Sequence, residues 1–115
     1  MQQLSKRLTA VAALVSSGSR LADIGTDHAY VPIRLVQEGR IPGALAMDVK
    51  DGPLARAREH IREQGLEQYI QTRKSDGLAA LQPGEADTVL MAGMGGLLMI
   101  RILEAGRCHW QQVPE

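Results

Sequence analysis

Four segments of the chain set carboxylates or bare backbone side by side: Asp23-Ile24-Gly25-Thr26-Asp27-His28-Ala29-Tyr30, then Asp48, then Asp76-Gly77, then Ala92-Gly93-Met94-Gly95-Gly96. A carboxylate accepts hydrogen bonds from hydroxyls and amines and attracts cations, and it repels anions. Two nucleoside cofactors make opposite demands on such residues. A dinucleotide needs small residues at the G-x-G-x-x-G positions, so that its pyrophosphate can reach a helix N-terminus. Here those positions hold Gly25, Asp27 and Tyr30, which puts a carboxylate and a phenol where an anion must sit. S-adenosyl-L-methionine has no phosphate; its ammonium and sulfonium are both cationic, and a loop with carboxylates suits it. Asp48, 23 residues after Gly25, is then placed to bond both ribose hydroxyls, and Asp76 to receive the adenine amino group. The residues favour S-adenosyl-L-methionine over a nicotinamide dinucleotide.

These segments act together only if the fold carries them to one edge. From Ser5 to Ser16, Leu8, Val11, Ala12 and Val15 recur at helical spacing, with Ser5 as N-cap. Arg20 to Ile24 is a short apolar run that stops at Gly25, the mark of a buried strand. Val31 to Glu38 is helical in pattern, and Gly39 ends it. Gly43 to Met47 is a second strand closing on Asp48. Pro53 opens a helix with Leu54, Ala57 and Ile61 on one face and Gly65 as its stop. Tyr69 to Arg73 and Ala86 to Ala92 read as third and fourth strands, with a turn or short helix over 78–86 between them. Leu97 to Ala105 reads as a fourth helix, and the tail from Gly106 has no periodicity. Strand and helix alternate at βαβ spacing, so the expected class is α/β with a parallel sheet, the front part of a doubly wound fold. In such sheets ligands bind beyond the carboxyl ends of the strands, where all four segments fall.

Composition narrows the alternatives. Thirteen Lys and Arg balance thirteen Asp and Glu, which excludes a histone-like binder, and 44% hydrophobic residues among 115 argue against disorder. A single cysteine, Cys108, excludes an intrachain disulfide, and with three scattered histidines it offers no structural zinc set. No apolar run approaches the ~18 residues needed to span a bilayer, so the expectation is a cytoplasmic chain with no membrane partner. Arg56, Arg58, His60 and Arg62 read as the exposed side of their helix, and His60 and His109 as surface residues.

SKRL, ADIGTDHAYVP, DVKDGPL, SDGL, GEADTV and AGMGG followed by ILEAG stand in this order. In that order and spacing they resemble the bacterial tRNA (adenine(22)-N(1))-methyltransferase family, from about Leu4 to Gly106. The resemblance implies a Rossmann-like class I methyltransferase fold with strand order 3-2-1-4 and flanking helices. It implies transfer of a methyl group from S-adenosyl-L-methionine to N1 of an adenine in tRNA. Asp23, Gly25, Asp27, His28, Asp48, Asp76, Gly77, Ala92 and Gly93 would line the cofactor pocket. Read from the residues themselves, Asp27 either caps the following helix, binds the cofactor ammonium or faces the adenine as the catalytic residue, and Lys6 and Arg7 either touch tRNA phosphates or form a solvated face. Residues 1–115 would form a single, incomplete cofactor-binding domain, lacking the family's later strands and its helical C-terminal domain. On that expectation strand 86–92 lies at an open edge and invites self-association. The alternative is a fragment that holds the cofactor without turnover.

Overall fold

Short buried runs and amphipathic stretches alternate along the chain in the computed structural model, which describes residues 6–26, 28–82, 84–92, 98–104 and 107–112. The order is α1 (Lys6–Leu14), β1 (Leu21–Ile24), α2 (Tyr30–Gln37), β2 (Ala44–Asp48), α3 (Asp51–Glu63), β3 (Ile70–Lys74), β4 (Thr88–Ala92), β5 (Leu98–Glu104) and β6 (Arg107–Gln112). All of β1 is buried, as expected of a strand covered on both faces, where apolar residues need not alternate with polar ones. The sheet runs β3-β2-β1-β4-β5-β6, so the expected order 3-2-1-4 holds for the four parallel strands.

The strand pleat sorts the core into two faces. On one, Ala12 from α1 and Val15 just after it pack with Leu21, Val31, Leu35 and Leu90. Beside them, Ala57 and Ile61 of α3 meet Ala46, Ile70 and Ile33. On the other face, Ala22, Ile24, Leu45, Met47 and Val89 are covered by Leu78, Ala80 and Leu81, from the segment between β3 and β4. Helices α2 and α3 both end in Schellman motifs. Arg40 donates to the Leu35 carbonyl and Gly39 to that of Val36; Leu66 donates to Ile61 and Gly65 to Arg62, all at 3.0 Å.

The carboxyl-terminal part differs from the expected pattern. Residues 98–104 form a strand rather than a helix, and the tail forms a further strand, β6, antiparallel to β5. Leu98-Met99-Ile100-Arg101-Ile102-Leu103 is a nearly unbroken apolar run, which periodicity alone assigns to neither state. Pairing with β4 decides it: Leu90 meets Ile100 and Val89 meets Arg101 in an antiparallel ladder. β4 therefore lies inside the sheet, between β1 and β5, and not at the edge where the sequence placed it. The turn-or-helix over 78–86 resolves into turns, and α3 begins at Asp51, ahead of Pro53. Ser5 lies outside the described residues.

Candidate functional site

Parallel pairing of β1 with β2 and β4, and of β2 with β3, brings the carboxyl ends of these strands to one edge. Asp23 is the third residue of β1, in register with Ala46 on one side and Leu90 on the other. It is only 6% exposed. Thr26 Oγ1 donates to Asp23 Oδ2 at 2.9 Å. Burial pushes the Asp23 carboxyl up to about 7 against the lowering effect of the Thr26 bond, and the charge of Asp48 pushes the same way. A positive charge placed beside such a buried carboxyl would favour its ionised form.

The loop after β1 is built on the neighbouring strand. The backbone N–H groups of Gly25 and Thr26 both donate to the Met47 carbonyl, at 2.8 and 3.0 Å. Gly25 makes that turn at φ +77°, a conformation open to glycine and strained for residues with a Cβ. Ala29 has φ +60°, yet its methyl is fully buried. Its N–H donates to the Thr26 carbonyl at 3.1 Å, and its own carbonyl accepts from Ile33 N at 3.0 Å, opening α2. A non-glycine residue held there stores strain of a kind concentrated at ligand sites.

Asp48 ends β2, half-buried; its Oδ1 accepts from the Lys50 N–H at 3.1 Å. Asp76 is exposed, in the turn that leaves β3, and its carbonyl accepts from Ala79 N at 3.1 Å. Gly77 follows in the same turn, its carbonyl accepting from Ser75 Oγ at 2.8 Å. Ala92 ends β4. The structure thus gathers Asp23, Gly25, Asp48, Asp76, Gly77 and Ala92 from four strand ends. Asp27 and Gly93, with Met94 to Gly96, lie outside the described residues, and Lys6 and Arg7 are the first two residues of α1.

His28 sits beside this edge, half-buried, its ring stacked on Tyr30 with centroids 4.9 Å apart. His60, expected at the surface, is half-buried instead: its Nδ1 donates to the His28 carbonyl at 2.8 Å, and its ring meets Tyr30 edge-on. His28, Tyr30, Arg56, Glu59, His60 and Glu63 line a cleft of about 280 Å³. Sequence reasoning missed His60 because its partner is 32 residues away. It missed Thr26 too, although an Asp with a Thr three positions on is a visible signal for a local side-chain bond.

Residues 4–115 match the family described as methyltransferase domain. A tRNA (adenine(22)-N(1))-methyltransferase of Bacillus subtilis is 45% identical over 91% of this chain, which spans 44% of that relative's length. A Streptococcus pneumoniae structure in complex with S-adenosyl-L-methionine is 44% identical over 81% of this chain and 44% of its own, with a TM-score of 0.77. One similarity extends further along the chain: M. capricolum TrmK, solved with S-adenosyl-homocysteine, is 25% identical over 96% of this chain and 68% of its own, with a TM-score of 0.70.

Proposed function

This chain belongs to the methyltransferase domain family, and we propose that it is the cofactor-holding part of an enzyme that methylates N1 of adenine 22 in tRNA. The observation that carries the reading is the convergence of Asp23, Asp48 and Asp76 on the edge where Gly25 turns the chain without a side chain. Those acceptors fit S-adenosyl-L-methionine: carboxylates for its ribose hydroxyls, amino groups and positive charge. When bound, that cofactor supplies an electrophilic methyl group. Asp48 accepts from the ribose, Asp76 from the adenine amino group, and Asp23 with Thr26 faces the cationic end. His28, Gly77, Ala92 and Gly93 complete the lining.

Neutral adenine already carries the N1 lone pair, so the chain needs no strong base before attack. Its task is orientation, and stabilisation of the ring as it becomes cationic. Asp27 is assigned that second role. Lys6 and Arg7 are assigned to tRNA phosphates, and the cytoplasm is the compartment such a substrate implies. Among the described residues no helix is long and apolar enough to cross a membrane. The second reading is cofactor binding without turnover.

Two measurements test this. Calorimetric titration should give one site for S-adenosylhomocysteine and none for NAD; the reverse preference overturns the cofactor assignment. Methyl transfer to a tRNA transcript should depend on adenine at position 22; transfer absent despite cofactor binding selects the second reading. For Asp27→Asn, cofactor affinity should hold while the single-turnover rate falls by ~100-fold, comparable to losing one pre-placed electrostatic group. Lost affinity with an intact rate would make Asp27 a binding residue.

A further inference from the structure

The segment that carries Asp76 and Gly77 is tied down by an ion pair outside the pocket. Arg73, on β3, donates from Nη1 to Glu85 Oε1 at 2.6 Å and from Nη2 to Glu85 Oε2 at 2.9 Å, a two-pronged fork. The same Nη1 donates to the Ala80 carbonyl at 3.0 Å, in the middle of the segment. Glu85 Oε1 also accepts from the Gln82 N–H at 2.6 Å. Ser75, buried at the start of the segment, donates to the Gly77 carbonyl at 2.8 Å and accepts from Ala80 N at 3.0 Å. Between these ties Leu78, Ala80 and Leu81 pack on Ile24, Leu45, Met47 and Val89. The segment is therefore a strap, fixed by side-chain bonds at its start, middle and end.

Resting on the cofactor reading above, we propose that the Arg73–Glu85 pair is a specificity-determining clamp: it fixes the strap so that Asp76 meets the adenine amino group and the pocket distinguishes adenine from other bases. Both residues are positioning residues, touching the strap and not the ligand. Arginine suits the task because its planar fork holds the carboxylate in one orientation while a third bond reaches the backbone. The hydrogen bonds from Arg73 and then from Gln82 hold the Glu85 carboxyl down at about 2, so the pair stays ionised across the working pH range.

The test uses two ligands, S-adenosylhomocysteine and its inosine analogue, in which a carbonyl replaces the adenine amino group. The wild-type chain should prefer the first. Glu85→Gln, which keeps the size and loses the charge, should lower that preference by ~10-fold, the worth of about one hydrogen bond to a charged group. Affinity for the inosine analogue should stay within twofold. Arg73→Met should do the same and Arg73→Lys less. A purely structural pair would lower the melting temperature, or both affinities together, with the ratio intact; that result overturns the clamp. If Arg73→Met does not fold, Glu85→Gln and Arg73→Lys still decide the ratio. A wild-type chain that binds the adenosine ligand without preference over the inosine one overturns the clamp alone. One that binds neither overturns the cofactor reading as well.

Discussion

Asp23 makes folding and ligand binding depend on pH in a direction opposite to most carboxylates. Its carboxyl is raised to about 7, so between pH 4 and 7 the unfolded chain loses a proton that the folded chain retains. Its contribution is therefore fully present below pH 4 and is lost as pH rises to 7, by up to ~4 kcal/mol at about 1.4 kcal/mol per unit. Glu85 works the other way in a lower window, its contribution lost as pH falls from 4.5 towards 2. Urea unfolding at pH 4.5 to 7.5 should show stability falling with pH in the wild type and a flatter profile in Asp23→Asn; parallel profiles would clear Asp23 of the effect. A cation beside Asp23 restores its ionisation, so S-adenosylhomocysteine, through its ammonium, should raise the melting temperature more at pH 8 than at pH 5. Asp48 bears on affinity. Its replacement by Ala should weaken S-adenosylhomocysteine by ~1.5–3 kcal/mol, the worth of hydrogen bonds to a charged group, and unchanged affinity would remove it from the site. Gly25 and Asp48 were legible in the sequence because each closes an apolar run, and Asp23 because it is the one carboxylate inside such a run. Thr26 was missed although its spacing from Asp23 is a visible signal, and the Arg73–Glu85 pair was not legible, since only the folded chain shows what those side chains reach.

Elements held by local pattern were legible for the same reason. Leu54, Ala57 and Ile61 at helical spacing all become buried, and the short runs ending at Ile24 and Asp48 become adjacent parallel strands. What local pattern leaves out is how an element is finished by a distant residue. The last turn of α1 contains no basic side chain to meet its open carbonyls. Arg40, just ahead of β2, does so instead, donating from Nη1 to the Ala12 carbonyl at 2.9 Å and from Nη2 to that of Val15. Its own carbonyl accepts from Gly18 N at 2.6 Å, closing the turn between α1 and β1. Arg40→Ala should destabilise the chain by ~1.5–3 kcal/mol, because two carbonyls lose a charged donor in a half-buried place. Glu38→Ala is the control, since its bond to Arg34 is a partly exposed helix pair worth roughly 0.3–0.5 kcal/mol. Equal losses in thermal or chemical melts would mean that Arg40 does not hold α1.

At the scale of the molecule, β4 joins two halves of different character. On one side β3, β2 and β1 are parallel and joined through helices; on the other, β5 and β6 are antiparallel. The parallel half could be foreseen because each βα unit announces its own start and stop. The antiparallel half depends on a competition that no window of sequence contains: residues 98–104 can close on themselves as a helix or lie along β4, and the open backbone of β4 rewards the second choice. Amide exchange distinguishes these outcomes directly. Successive N–H groups of a strand point to opposite neighbours, so those of Thr88 to Ala92 divide into one set facing β1 and one facing β5. With β5 in place both sets are hydrogen-bonded in the interior of a sheet and should exchange at rates within about tenfold of each other, near the global opening rate. With 98–104 helical, the set facing away from β1 would be open and should exchange roughly a thousandfold faster, as follows from losing ~4 kcal/mol of local protection. The expected pattern is uniform slow exchange along β4. Strict alternation of slow and fast amides from Thr88 to Ala92 would remove β5 from the sheet and return β4 to its edge.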